Sequence, residues 1–318
     1  MALRVLLTGA TSFTGAHIAR ALSDAGMEVA ATLTERLATY SGPMIQKRRM
    51  HSRVLEWVEE APFGSARLIE FLKDAKIDVF LNHGASIKGY RDAGFDYLES
   101  VDSSVANAKL TMDTLVAAGC RRFVHSGSIF EPGEGEEGSN TRSEAISIYG
   151  VSKAMVWEPL RFFALKAGLP VSKIVIPNPI GPFENEDRLM PIFAGIWKKG
   201  GVPSLRTPSL VRDNIPATWL ARVYREEAQL AVDPLPPKPT TRVRRPSGYA
   251  LSFEDFMHLF ARETKKRTGV NLPYEIAPQP SSEPLRRVNS EPVAELKDPT
   301  EETKFWDAWI ESLGPWPR

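Results

Sequence analysis

Short apolar runs recur along the first 180 residues: RVLLT (4–8), EVAAT (28–32), DVFLN (78–82), RFVHS (122–126) and SKIVI (172–176). Runs of about five residues rich in Val, Ile, Leu and Phe, separated by helix-length segments, predict parallel strands buried on both faces by crossover helices. Two of those helices have legible ends. The pattern Ala16 to Ala25 stops at Gly26, and Ala106 to Ala118 stops at Gly119, where glycine accepts the left-handed conformation that closes a helix. The expected fold class is α/β, a Rossmann-like doubly wound parallel sheet over residues 1–180, with 211–232 returning to it.

Beyond residue 180 the rhythm breaks. The segment DPLPPKPTTRVRRPSG (233–248) is too rich in proline for a central strand or a helix interior, and reads as a connection between lobes. After it come a helix (Phe253 to Lys266), a loop rich in Pro and Ser (277–284) and a C-terminal helix carrying Phe305, Trp306, Trp309 and Ile310. An aromatic stripe at helical spacing marks core or dimer packing rather than a ligand platform. Residues 181–210 and 233–318 are expected to form a smaller C-terminal substrate-binding lobe.

Composition narrows the function classes. The 318 residues are 42% hydrophobic and 25% charged, enough to bury a large core, and the net charge of +1 argues against nucleic acid or a membrane surface as partner. The run Lys47-Arg48-Arg49 reads as a solvated loop face. One cysteine, Cys120, excludes an internal disulfide framework, and the five histidines show no ligand spacing with it, so no metal is expected. The N-terminal apolar stretch is too short for a signal-peptide core, and no run reaches the ~18 apolar residues of a membrane span. The expected location is the cytoplasm.

Candidate chemistry begins at TGATSFTG (8–15), directly after the first apolar run and opening a helix. A dinucleotide loop needs a glycine for the tight turn, a point of close approach to the pyrophosphate and a small residue for helix packing. Gly9 and Gly15 supply the first and third. Ser12 stands at the second, where its hydroxyl could donate to a phosphate oxygen if its backbone is one that a non-glycine residue tolerates. Gly9, Thr11, Ser12, Phe13, Thr14 and Gly15 are the expected cradle. At the end of the second run Thr34 and Arg36 suit the extra phosphate of NADP, while Glu35 would chelate the ribose of NAD; the preference is slight and for NADP.

The segment IYGVSKA (148–154) places Tyr149 and Lys153 one helical turn apart, and of seven tyrosines only Tyr149 has a lysine at that spacing. A phenol with a pKa near ~10 is a poor proton carrier at neutral pH, and a nearby ammonium lowers that value. Tyr149 could then exchange a proton with a substrate oxygen while hydride moves at the adjoining carbon, with a serine hydroxyl of HSGS bonded to the same oxygen.

These residues make the chain resemble an extended short-chain dehydrogenase/reductase of the branch of NAD-dependent epimerases and dehydratases acting on nucleotide sugars. The similarity runs through TGATSFTG, VFLNHGA, RFVHSGS, YGVSK, IPNPIGP (176–182) and VRDNIPATWLA (211–221). It implies a catalytic set of Ser128, Tyr149 and Lys153. Strand register favours Ser128 for the hydroxyl role over Ser126, which is assigned to the substrate. The resemblance also implies cofactor contacts from Gly84, Ala85, Tyr149, Lys153, Pro177, Pro179 and Ile180. Asn178 would meet the sugar or its phosphate, and Arg212 the nucleotide diphosphate; the alternative for Arg212 is an ion pair with Asp213.

Two departures are informative. The Asp-Glu pair that follows the catalytic hydroxyl in 4,6-dehydratases is replaced by Ile129 and Phe130, which disfavours elimination, and glycine stands at 127 in place of a second serine. The pattern looks most like the 4-keto-sugar reductases. The alternatives are a C4 epimerase with tightly bound NAD and a non-catalytic NAD(P)-binding regulator. The resemblance further implies a homodimer through helices around 100–118 and 147–166, for which Trp157, Leu160 and Phe163 supply apolar surface.

Overall fold

All five apolar runs become strands of one sheet in a computed structural model that describes residues 2–85, 89, 94–135 and 144–316. In chain order the elements are β1 (Arg4–Thr8), α1 (Phe13–Asp24), β2 (Glu28–Thr32), α2 (Pro43–Ser52), β3 (Glu56–Val58), α3 (Ala66–Asp74), β4 (Val79–Asn82), α4 (Tyr97–Val105), α5 (Ala108–Ala117), β5 (Arg122–Ser128), α6 (Ile148–Lys166) and β6 (Val171–Ile176). They continue with β7 (Asn178–Ile180), α7 (Leu189–Lys198), β8 (Ser204–Leu205), β9 (Val211–Pro216), α8 (Ala217–Gln229), β10 (Thr241–Arg244), β11 (Pro246–Ser247), β12 (Tyr249–Ser252) and α9 (Phe253–Thr268). The last are β13 (Glu275–Ile276), β14 (Arg286–Arg287), β15 (Glu291–Pro292) and α10 (Pro299–Leu313).

The chain divides into two units. The first comprises Met1–Glu134, Ser143–Ile176 and Leu220–Arg245. Its seven-stranded sheet runs β10-β6-β5-β4-β1-β2-β3 and every pairing in it is parallel. Strand order therefore reverses between β1 and β4, and the loops leaving their carboxyl ends flank the crevice where open α/β sheets bind ligands. Leu6, Phe80, Phe123 and Val171 carry one sheet face into a core completed by Leu68 and Leu72 of α3, Met112 and Leu115 of α5, and Leu160 of α6. The rings of Phe80 and Phe123 stack with centroids 5.8 Å apart.

Two sheet strands, β3 and β10, have no counterpart among the five runs. Strand β10 lies within the proline-rich segment, where TRVR is bracketed by prolines and occupies the sheet edge, the place where proline neighbours are tolerated. The helix expected over 106–118 is α5, which begins after Asn107, whose left-handed backbone (φ 50°) separates it from α4. The Asn107 amide donates to the Gly64 carbonyl at 2.8 Å, which fixes the break. Lys47-Arg48-Arg49 is not a loop face: it lies in α2, Arg48 is buried, and the Arg49 guanidinium stands 5.8 Å above the Trp57 ring. Trp157 and Leu160 are buried within the chain's own core, while α6 exposes Met155 and Phe162 instead.

The second unit comprises Gly135–Arg142, Pro177–Trp219 and Pro246–Arg318. Strand β9 is its centre, pairing with β7 and β14 in parallel and with β12 antiparallel. The aromatic stripe of α10 is core: Phe305, Trp306 and Trp309 are buried, with Phe260 of α9 edge-on to Trp309 at 5.2 Å. Among the described residues no helix is long and apolar enough to cross a membrane.

Gly64 shows how closely the backbone packs near the α4–α5 break. Its φ is 70°, and an added Cβ would lie 1.8 Å from the Ala106 carbonyl oxygen. Gly26 has a similar φ of 78° with open space around it. Gly64→Ala is expected to cost about 3 kcal/mol or more in urea unfolding, against about 1 kcal/mol for Gly26→Ala. Equal costs at the two sites would remove the close approach as the cause.

Candidate active site

The loop after β1 is built on contacts that exclude side chains. Gly9 has φ 75°, and a Cβ there would lie 2.8 Å from Gly84 Cα, in the segment following β4. A Cβ on Gly15 would lie 2.0 Å from the Gly9 carbonyl oxygen, so the first turn of α1 packs directly on the loop. Ser12 is extended (φ −73°, ψ 166°), a conformation any residue adopts, and its Oγ accepts from the Gly15 amide at 3.0 Å. The hydroxyl oxygen is thus the N-cap of α1, and the hydroxyl also lies 3.4 Å from His83 Nε2. The tight turn, the serine cap and the α1 N-terminus fit a dinucleotide pyrophosphate, with Gly9, Thr11, Ser12, Phe13, Thr14 and Gly15 to hold it.

The opposite wall carries a residue that no sequence pattern singled out. His83, directly after β4, contacts the loop through Nε2, 2.7 Å from Thr14 Oγ1, and β5 through Nδ1, 2.8 Å from Ser126 Oγ. Ser126 Oγ in turn lies 2.5 Å from the hydroxyl of buried Tyr224. Burial first, and then the charge of Lys153, holds the His83 imidazole down to about 3, so it is neutral at physiological pH. The chain Thr14–His83–Ser126–Tyr224 ties both crevice loops to β5. A histidine between Asn and Gly in a strand end carries no spacing signal, which is why sequence reasoning passed over it. Gly84 donates its amide to Thr8 Oγ1 at 2.6 Å, fixing the Gly84-Ala85 backbone against β1.

Ser128 is the last residue of β5, and Ser126 shares its face two residues earlier. Tyr149 and Lys153 enter on α6, which Ser147 caps through the Gly150 amide at 3.3 Å. A Cβ on Gly150 would lie 1.9 Å from the Phe130 carbonyl oxygen, so α6 rests on the backbone just past Ser128. Glycine at 150 thus sets the separation between the helix carrying the tyrosine and the strand carrying the serine. Tyr149 is half-buried, edge-on to Phe95 at 6.5 Å, and its charge acts on the Tyr224 phenol, which burial pushes up. Lys153 is buried. Burial pushes its ammonium down to about 8, with Glu131 pulling it up and Lys173 pushing it further down.

The remaining expected contacts fall differently. Thr34 Oγ1 lies 2.7 Å from the Tyr40 hydroxyl, and the exposed Arg36 pairs with Glu60 at 3.3 Å. In the second unit Asn178 and Ile180 lie on β7 around Pro179, with Pro177 just before them, and Asn178 is half-buried opposite Asn214. Arg212 is buried on β9. Its guanidinium donates to the carbonyls of Val211 and Pro284 and pairs with Glu283 at 2.8 Å. Asp213 is not its partner, for that carboxylate accepts from the amides of Gly248 and Asn289 at 2.7 and 3.0 Å.

Residues 5–213 match the profile described as the NAD dependent epimerase/dehydratase family. The chain belongs to that family. No curated protein sequence matches it significantly. Among solved structures, members of similar fold include a UDP-N-acetylglucosamine 4-epimerase from Methanobrevibacter ruminantium M1 in complex with UDP-N-acetylmuramic acid, at 16% identity and a TM-score of 0.73, covering 98% of each chain. Another is the UDP-glucuronic acid 4-epimerase of Bacillus cereus in complex with UDP-glucuronic acid and NAD, at 16% identity and 0.70, covering 98% of this chain and 99% of that one. A third is the UDP-glucose 4-epimerase of Thermus thermophilus complexed with NAD, at 19% identity and 0.66, with 98% and 99% covered. For this member of the epimerase/dehydratase family, such identities establish a shared fold.

Burying the Lys153 ammonium has a measurable cost. Its proton is held less tightly in the folded chain (about 8) than at the ordinary value of 10.5, so between those two pH values the unfolded chain binds more protons and stability rises with pH. Below about 8 the whole cost is present, on the order of 3 kcal/mol. Lys153→Met is therefore expected to unfold at higher denaturant than the wild type at pH 7, with the gap closing as pH approaches 10.5. A variant less stable at pH 7, or a gap that ignores pH, contradicts this.

Proposed function

We propose that the protein is an NAD-dependent epimerase acting at C4 of a nucleoside-diphosphate sugar. The observation that carries the reading is the buried Lys153 one turn from Tyr149 on α6, on the helix that rests against the end of β5 where Ser128 stands. NAD, held by the loop of residues 9–15 and by the Gly84-Ala85 segment, supplies reversible hydride transfer when bound. Tyr149 takes the proton of the C4 hydroxyl as the carbon is oxidised and returns it when the carbon is reduced on its other face. The Lys153 ammonium stabilises the phenolate between those events. Ser128 donates a hydrogen bond to the same oxygen as it becomes a carbonyl. In the second unit Asn178 is the residue proposed to meet the sugar; the Arg212 guanidinium, expected at the diphosphate, is engaged by Glu283 and two carbonyls.

The 4-keto-sugar reductase suggested by the sequence pattern would use the same three residues. The structural neighbours favour the epimerase, since those described above are named 4-epimerases and none a reductase. NAD is preferred over NADP: two of these neighbours are described with NAD, and Thr34 and Arg36 are engaged by Tyr40 and Glu60. UDP-sugars are the first substrates to test.

The wild type, supplied with NAD, is expected to convert a UDP-, dTDP-, GDP- or CDP-sugar to its C4 epimer, read by proton NMR, with no net change in nicotinamide absorbance. Tyr149→Phe should lower that turnover about a hundredfold or more while NAD binding persists. Undiminished turnover in Tyr149→Phe rejects the mechanism. One-way consumption of reduced cofactor by a keto-sugar would instead establish the reductase.

A further inference from the structure

Beneath the catalytic strand lies a charged cluster for which the proposed reaction has no direct use. Lys173 of β6 pairs with Glu131 at 2.9 Å and Glu134 at 2.8 Å, and Arg245 pairs with Glu134 at 2.7 Å. Lys173, Glu131 and Glu134 are all buried, and the Lys173 ammonium stands 5.5 Å from the centre of the Trp157 ring. The other Glu131 oxygen accepts the backbone amide of Ser128 at 2.6 Å. Gly127 makes room for the pair, because a Cβ there would lie 2.8 Å from Glu131 Oε1 and 3.0 Å from the Lys173 stem. The glycine at the position of the second serine is thus explained: a side chain at 127 would collide with the ion pair.

We propose that Glu131 is a positioning residue for the catalytic centre: gripped between the Ser128 amide and Lys173, its carboxylate fixes the end of β5 and keeps Lys153 protonated. The proposal rests on the reading that Lys153 serves Tyr149. Two buried charges act on Lys153, and they oppose each other: Glu131 favours its proton and Lys173 disfavours it. His125 on β5 and His83 after β4 also neighbour Lys153, and burial keeps both neutral. On the helices packed against α6, the charged side chains Glu99 and Asp102 of α4 and Lys109 and Asp113 of α5 are exposed to solvent. Glu131 is accordingly the anion that raises the Lys153 proton affinity, against the burial that lowers it most. Lys173 holds that anion in place while limiting its effect on Lys153.

The test follows the Lys153 Nζ resonance in full-length protein carrying isotope-labelled lysine, assigned by its loss in Lys153→Arg. Glu131→Gln keeps an oxygen for the Ser128 amide and removes only the charge. Its Lys153 titration midpoint is expected to fall by about one pH unit or more below the wild type. Lys173→Met should raise the midpoint. Should Glu131→Gln prove too unstable to titrate, the comparison of Lys173→Met with the Glu131→Gln/Lys173→Met double variant isolates the same charge, the double variant titrating lower. An unchanged midpoint in Glu131→Gln, or in the double variant against Lys173→Met, overturns the proposal and leaves Glu131 a purely structural residue. These midpoints require no substrate, so they stand apart from the Tyr149→Phe turnover test, whose failure would overturn the enzymatic reading instead.

Discussion

A buried ammonium, Lys153, one helical turn from Tyr149, is the constraint from which the first unit takes its form. Taking the Lys153 charge out of water opposes folding, and a fold that keeps it must compensate with anions, fixed dipoles or packing gained elsewhere. The first unit supplies an anion and packing. Glu131 sits within electrostatic reach, β5 and β6 run in register through Ser128 and Ile176 to hold it there, and the aromatic core of Phe80, Phe123 and Trp157 lies on one side. The carboxyl end of β5 thereby rests on a packed core, as the positioning of the proposed proton carrier requires.

Close backbone approach transmits that rigidity. Three glycines do equivalent work at three joints: Gly9 against Gly84 joins the two crevice loops, Gly15 against Gly9 seats α1 on its turn, and Gly150 against Phe130 seats α6 on the end of β5. At each joint a methyl group would have to occupy space already held by backbone, which cannot move aside as a side chain can. Ser12 belongs to the same set by contrast. Its backbone is extended and its side chain points to its own helix, so nothing at that position demands glycine, and the hydroxyl does the capping that a glycine would leave to solvent.

Legibility in the sequence follows from which forces are local. The five long strands were readable because a strand buried on both faces is a continuous apolar run, and Tyr149 and Lys153 were readable because a helix fixes their spacing. Strand β10 was hidden because an edge strand needs neither apolarity nor freedom from flanking prolines, and β3 because three residues make no pattern. The helix α5 was legible, but not the contact that starts it, because Asn107 is held by a carbonyl 43 residues away. His83, Glu131 and Lys173 could not be found from spacing, since their partners lie on other strands and only the pairing register brings them together. Arg212 was legible as a residue but not in its environment: the loop carrying Pro284 and Glu283 that encloses it is distant in sequence.

The same cluster bears on which chemistry the centre can perform. Elimination of water from a sugar needs a carboxyl group that delivers a proton and a base that removes one, both facing the substrate and free to change charge. After Ser128 the first two side chains are hydrocarbon, and the next carboxylate, Glu131, is turned to the Ser128 amide and Lys173; Glu134 is bound by Lys173 and Arg245. These acids are therefore engaged as counter-charges, which leaves the phenol as the proton carrier in the proposed reaction. A centre of this kind is equipped to move a hydride and a proton at one carbon, the step that oxidation, reduction and epimerisation share.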